Sequence, residues 1–223
     1  MSTPLDSGRR PDHVQISQTV AASLLDIGAV IISPDQPFTW ASGIQSPIYC
    51  DNRLSLGYPP VRKAICDAFR VHLEDWIGAS EVVIGTATAG IPHAAWLADA
   101  CQLPMAYVRS SAKGHGRQNQ IEGVVREGWK AVVIEDLVST GGSSLKAVQA
   151  VRDAGVTVLG VGCIFSYGLE EARSAFEKDD VHCRSLTTLE ALLAVAAEKG
   201  LLSESQIDSV RKWRTSPQTW RPQ

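Results

Sequence analysis

The sequence lacks long apolar runs and any strong excess of charge of one sign. Its 223 residues include 21 lysines and arginines against 24 aspartates and glutamates, which gives a net charge of −3. Such a balance does not favour binding to nucleic acid or to an anionic membrane. No stretch approaches the roughly 18 apolar residues of a transmembrane helix, and the polar N-terminus lacks the apolar segment of a secretory signal. We therefore expect a cytoplasmic protein without nucleic-acid or membrane partners.

Cysteine is also scarce. The five cysteines are scattered along the chain and form no C-x-x-C pair. An odd number without paired spacing is typical of reduced thiols, most of them small core residues, and argues against a structural metal site. With 44% hydrophobic and 20% charged residues, the composition is that of an ordinary globular protein. The length is enough for one domain with a sizeable core.

Strand-like apolar runs alternate with helical patterns from Pro59 onward. This alternation predicts an α/β fold with a central, mainly parallel sheet flanked by helices. The predicted strands are 81–85, 105–108, 129–134, 156–165 and 181–186, and the predicted helices are 59–77, 91–101, 141–154, 169–178, 189–199 and 203–213.

We expect a flexible arm over residues 1–12, followed by a single domain over residues 13–223. Within that domain, aromatic and β-branched residues around two turns predict two short strands with a tight link between Phe38 and Arg53. The predicted parts are an N-terminal segment at about 13–58, a core at about 59–186 and C-terminal helices at 187–223.

The most informative stretch is VVIEDLVSTGGSS, from Val132 to Ser144. A β-branched run, two acids and a turn of glycines and hydroxyl residues lead into a helical pattern. Such a turn directs free backbone N–H groups, supported by the helix dipole, at one point that suits a phosphate monoester. Glu135 and Asp136 would repel a bare phosphate. Accepting hydrogen bonds from sugar hydroxyls, or helping to hold Mg²⁺, would fit them.

A basic loop follows the strand predicted at 105–108. It begins at Arg109, contains Lys113 and Arg117, places His115 between two glycines, and has almost no apolar residues. A solvated surface loop is the usual meaning of such a segment. Three cations gathered in a chain of negative net charge nevertheless favour binding of a polyanion, and long loops of this kind often act as lids.

Three segments carry a resemblance to known enzymes. Val132–Ser144 resembles the phosphoribosyl-pyrophosphate (PRPP) motif of type I phosphoribosyltransferases. Phe38–Tyr49 reproduces F-T-x-x-S-G-x-x-S-P-x-Y, and Arg109–Gly123 reproduces R-x-x-x-K-x-H-G followed by I-E-G. The last two patterns resemble orotate phosphoribosyltransferases in particular. The resemblance implies a type I phosphoribosyltransferase-like fold with the N-terminal segment as a hood, and transfer of phosphoribose from PRPP to orotate in pyrimidine biosynthesis.

The resemblance also implies roles for individual residues. Lys113, His115, Arg109 and Asp136 are the expected catalytic residues, the first three closing over the pyrophosphate. Glu135 and Asp136 would face the ribose, and Ser139, Tyr49 and Cys50 would line the orotate site. The 5′-phosphate would lie in the turn made of Ser139, Thr140, Gly141, Gly142 and Ser143, and Leu137 and Val138 would also contact PRPP. Mg²⁺ is expected through the pyrophosphate without an assigned protein ligand, and a homodimer would share the basic loop between protomers.

The chain departs from the family pattern at four positions. Ala41, Ala89 and Ser110 stand where many members have lysine, and Tyr167 stands near the place of an arginine that grips the base in some of them.

The small-residue turn Thr86–Gly90 follows a predicted strand, so its amides would suit the pyrophosphate of PRPP, although a plain turn is equally compatible. A purine or uracil phosphoribosyltransferase, or a PRPP-sensing regulator of the same fold, remains the alternative.

Overall fold

The computed structural model describes residues 11–40, 43–110 and 120–222. The N-terminal part contains helix α1 (His13–Asp26), strands β1 (Val30–Ile32), β2 (Phe38–Thr39), β3 (Gln45–Ser46) and β4 (Ile48–Cys50), and a 3₁₀ helix (Asn52–Gly57). Strand β1 pairs with β4 and β2 pairs with β3, both antiparallel. The segment predicted as a hood, residues 13–58, therefore contains two small sheets that are separate from the main one. Of the predicted arm only Pro11 and Asp12 are described, and Asp12 caps α1 by accepting from the backbone of Gln15.

The centre of the protein is a six-stranded sheet. Its strands are β5 (Val82–Thr86), β6 (Met105–Val108), β7 (Ile121–Gly123), β8 (Lys130–Val138), β9 (Thr157–Ser166) and β10 (Cys183–Thr188). They lie in the order β10-β9-β8-β5-β6-β7, and all neighbours are parallel except β6 and β7. The predicted mainly parallel sheet is thus confirmed. The antiparallel edge strand β7, which returns from the basic loop, was not predicted.

Helices cover both faces of the sheet. They are α2 (Pro59–His72), α3 (Glu74–Ala79), α4 (Gly90–Cys101), α5 (Gly142–Asp153), α6 (Glu170–Lys178), α7 (Leu189–Glu198) and α8 (Glu204–Thr215). Successive residues of β8 alternate between faces, as strand geometry requires. Val132 and Ile134 belong to the core on one face, which also contains residues of α1, α2 and α7, whereas Val133 belongs to the core on the other face with residues of α5 and α6. The strand is therefore buried on both sides, which accounts for its uninterrupted apolar run.

Two predicted boundaries are wrong. The helix predicted over 59–77 breaks at Leu73, whose backbone lies outside the helical region (φ −113°, ψ 20°), and continues as α3. The break seats Leu73 and Trp76 directly on β9, so closely that a Cβ at Gly160 would lie 2.4 Å from the Trp76 ring. The strand predicted over 129–134 continues to Val138 because its last residues pair with β9, for example Glu135 with Cys163.

Helix α8 contacts the N-terminal segment of residues 13–58. The side chains of Thr188 and Ser203 cap α7 and α8 by accepting from the backbone N–H groups of Ala191 and Gln206. Trp213 of α8 donates its indole N–H to the carbonyl of Gln45 in β3 at 3.0 Å. The chain then continues to Trp220, which is buried and donates to the hydroxyl of Ser209 at 3.3 Å.

None of the helices in the described ranges is long and apolar enough to cross a membrane. All five cysteines are free, which agrees with the reduced state expected from their spacing.

Candidate active site

Three of the segments singled out in the sequence meet at one edge of the sheet. Strands β5, β6 and β8 are parallel neighbours, so their carboxyl ends open on the same side, where sheets of this type bind ligands. A cavity of about 650 Å³ lies there. Its lining includes Thr86 and Ala87 after β5, Arg109 and Ser110 after β6, and Ser143 at the start of α5.

The turn between β8 and α5 has the form of an anion site. Gly141 adopts a positive φ of 83°, and a Cβ at this position would lie 2.8 Å from the Phe176 ring. Only glycine fits both requirements. The N-cap residue of the 12-residue helix α5 is Gly141, which has no side chain to cap the leading N–H groups in the turn Ser139–Ser143. These groups and the helix dipole favour a phosphate at this point.

The two acids of the motif differ in their surroundings. Glu135 is 5% exposed; its carboxylate accepts from the Asp136 backbone N–H and the Ser144 hydroxyl, both at 3.1 Å, and from Ser143 at 3.5 Å. It is therefore directed towards the start of α5.

Burial and the adjacent Glu135 carboxylate raise the pKa of Asp136 well above the usual range of an aspartate. The pair therefore carries less than two full negative charges near neutral pH, which lowers the repulsion that a phosphorylated ligand meets.

A buried asparagine joins the hood to this motif. The Asn52 amide donates to the carbonyl oxygen of Asp136 at 2.7 Å, and its own oxygen accepts from the Cys50 thiol at 3.4 Å. Asn52 is fully buried. Sequence reasoning did not identify it, because no motif or periodicity marks a single polar residue after a short strand. Its position just after the Phe38–Tyr49 motif was the only available signal.

The Arg109 side chain has an unsatisfied buried nitrogen. Its backbone N–H donates to Gln120 at 2.8 Å, which closes the base of the basic loop. Its Nη1 lies 3.6 Å from the Glu122 carboxylate, beyond hydrogen-bond length, and has no hydrogen-bond partner within the described residues. An anion in the adjacent cavity would satisfy it. The predicted residues Lys113 and His115 lie outside the described ranges.

The residues predicted to line the orotate site lie on β4. Tyr49 is 41% exposed, and its ring lies 5.5 Å from that of Phe38. Cys50 is half-buried, and burial together with Asp136 raises the pKa of its thiol. Tyr167 is instead enclosed by Trp40 and Trp213, at ring distances of 5.4 and 5.7 Å. Its ring therefore helps to pack the hood against α8, while Ala41 lies outside the described residues.

The described part of the chain contains no group of three or more histidine, cysteine, aspartate or glutamate side chains that could hold a metal ion. Mg²⁺ often retains water and is bound largely by substrate phosphates, with one or two carboxylates at most. A site with two acids and room for a polyphosphate is compatible with that mode of binding.

Comparison with known proteins gives a consistent result. Residues 59–198 match the model of a family described as "Phosphoribosyl transferase domain". An orotate phosphoribosyltransferase of Listeria innocua serovar 6a is 50% identical over 207 residues, which is 93% of this chain and 99% of that protein.

Two solved structures are also similar. The orotate phosphoribosyltransferase of Aeropyrum pernix is 32% identical with a TM-score of 0.72, covering 82% of this chain and 99% of that one. The orotate phosphoribosyltransferase of Mycobacterium tuberculosis in complex with PRPP is 26% identical with a TM-score of 0.62, and the coverage is 82% and 99%.

Proposed function

This chain belongs to the orotate phosphoribosyltransferase family, and on that premise we propose that it converts PRPP and orotate into orotidine 5′-monophosphate and pyrophosphate. The observation that carries the proposal is the 50% identity over 93% of the chain to a relative of that name. The anion-receptive turn before α5 and the unsatisfied Arg109 at the same sheet edge support it. The reaction belongs to pyrimidine biosynthesis, and we place it in the cytoplasm.

PRPP would lie across the carboxyl edge of the sheet. The N–H groups at the start of α5, in the turn Ser139–Ser143, would receive the 5′-phosphate. Asp136 and Glu135 would accept hydrogen bonds from the ribose hydroxyls, Glu135 after exchanging its contacts with Ser143 and Ser144. The pyrophosphate would then extend towards Arg109 and the amides of Thr86–Gly90.

The chain contributes to the reaction through charge placement. Breaking the bond to pyrophosphate builds positive charge on the ribose and negative charge on the leaving group. The Asp136 carboxylate stabilises the former, while Arg109, Lys113 and His115 stabilise the latter. Arg109 suits bidentate contact with a phosphate, and Lys113 acts as a point charge. Bound Mg²⁺ would neutralise part of the pyrophosphate charge.

Orotate would bind on the side of the hood, with Tyr49, Cys50 and Ser139 around it. The basic loop would close over both substrates and exclude water, which strengthens the electrostatic contacts inside. We further propose a homodimer in which the basic loop of each protomer contributes to the active site of its partner.

Base specificity tests the proposal against its nearest alternative. Purified protein with PRPP and Mg²⁺ is given orotate, hypoxanthine, adenine or uracil in parallel, and consumption of each base is followed. We expect consumption of orotate alone. Turnover of another base would show that the hood pattern does not report the substrate, and tight PRPP binding without any turnover would favour a PRPP-sensing regulator.

A further inference from the structure

The side chain of Asn52 lies between the two segments to which the proposed function assigns different substrates. Its amide N–H₂ donates to the backbone carbonyl of Asp136, on the PRPP side. Its amide oxygen accepts from the thiol of Cys50, on the orotate side. One planar group therefore sets the distance between β4 and the end of β8. Asn52 and Asp136 are 84 positions apart in the sequence, so this hydrogen bond is a tertiary contact that the local chain does not impose.

Asn52 is itself firmly held. It begins the 3₁₀ helix, and its own carbonyl accepts from the Ser55 hydroxyl at 2.6 Å. The Ser55 hydroxyl also lies 3.5 Å from the Nε2 atom of buried His93 on α4. The backbone of Asn52 is therefore connected through Ser55 to α4.

We infer that Asn52 is a positioning residue. It acts through the Asp136 backbone to hold the Asp136 carboxylate, which would face the ribose, at a fixed position relative to β4. The inference rests on the proposed function, since it takes PRPP as the ligand of Asp136. Nothing else in the 3₁₀ helix donates to this carbonyl among the described contacts. Without the amide, the Asp136 carbonyl loses its partner at the point where β5 has ended, and this part of β8 is then flanked by β9 alone.

The test compares two variants that each remove buried side-chain hydrogen bonding from the same 3₁₀ helix. Asn52→Leu keeps a similar side-chain volume but removes the donor to Asp136 and the acceptor of the Cys50 thiol. Ser55→Ala removes a bond of similar burial and leaves the donor in place. Binding of PRPP with Mg²⁺ is measured by calorimetry without orotate, and kcat and KM for both substrates are measured where turnover occurs. Thermal unfolding reports the damage that the two variants share.

We expect Asn52→Leu to bind PRPP about tenfold to a hundredfold more weakly than Ser55→Ala at a similar melting temperature, the scale of a displaced substrate-positioning group. Equal PRPP affinity in the two variants would overturn the inference. Should Asn52→Leu fail to fold, Asn52→Ser, which is too short to reach Asp136, takes its place. A wild type that binds PRPP but leaves orotate intact would contradict the proposed function alone, since the comparison of PRPP affinities would still decide the inference. A wild type that does not bind PRPP would contradict both.

Discussion

Replacing Gly90 by alanine should displace the start of α4, which packs directly on β8 beside Glu135. A Cβ at Gly90 would lie 2.5 Å from the carbonyl oxygen of Ile134 and 2.5 Å from the hydroxyl of Thr86. Ordinary contacts begin near 3.4 Å, so α4 must move away from β8 by about 1 Å (3.4 − 2.5). The opposing oxygen belongs to the backbone of a central strand and cannot rotate aside. Overpacking of this kind costs about 1–3 kcal/mol and sometimes more, and we expect about 3 kcal/mol here.

Gly78→Ala is the matched control for this prediction. Gly78 also lies in a helix, α3, and a Cβ there would meet nothing within 4 Å. Alanine at this site should leave stability unchanged or raise it by up to about 1 kcal/mol. Urea unfolding of both variants gives the difference directly, and turnover of Gly90→Ala should fall because the strand end beside Glu135 shifts. Equal unfolding midpoints for the two variants would refute the close approach of α4 to β8.

Three further predictions concern the loop, the core and the hood. Lys113→Ala should lower kcat by about tenfold to a thousandfold while changing PRPP affinity less, and an unchanged kcat would make the loop a solvated surface feature. Burial lowers the pKa of His93 to about 4, below the ordinary 6.5, so the unfolded chain takes up the proton first and stability falls as pH drops from about 6.5 towards 4. Between pH 7 and pH 5 the wild type should therefore lose about 2 kcal/mol of unfolding free energy that His93→Gln retains, measured by urea unfolding at both pH values. Trp213→Phe removes the donor to Gln45 and should destabilise the protein by about 1 kcal/mol while raising KM for orotate more than KM for PRPP; equal changes in the two KM values would contradict the fastening of the hood by α8.

The parts of the molecule that the sequence predicts well depend on neighbours in the chain. The turn after β8 is one example, because the glycines, hydroxyls and helical pattern that build it all lie within Val132–Ser144. Its φ-positive glycine and uncapped helix start follow from those residues alone. The alternation of strands and helices is also local, and it predicts the parallel sheet because short crossovers leave few other arrangements.

The parts that were missed depend on contacts between distant segments. The helix break at Leu73 follows from packing on Gly160 and Gly162, which lie almost 90 residues away. The extension of β8 to Val138 follows from pairing with β9 rather than from the propensity of two acids. Asn52 belongs to the same class, because its partner Asp136 is 84 positions away.

Orotate phosphoribosyltransferase activity is tested by the change in orotate absorbance when PRPP and Mg²⁺ are added to the purified protein. We expect rapid loss of orotate, with orotidine 5′-monophosphate and pyrophosphate formed in equal amounts, and no loss without PRPP. Unchanged orotate in the presence of bound PRPP would contradict the proposed function.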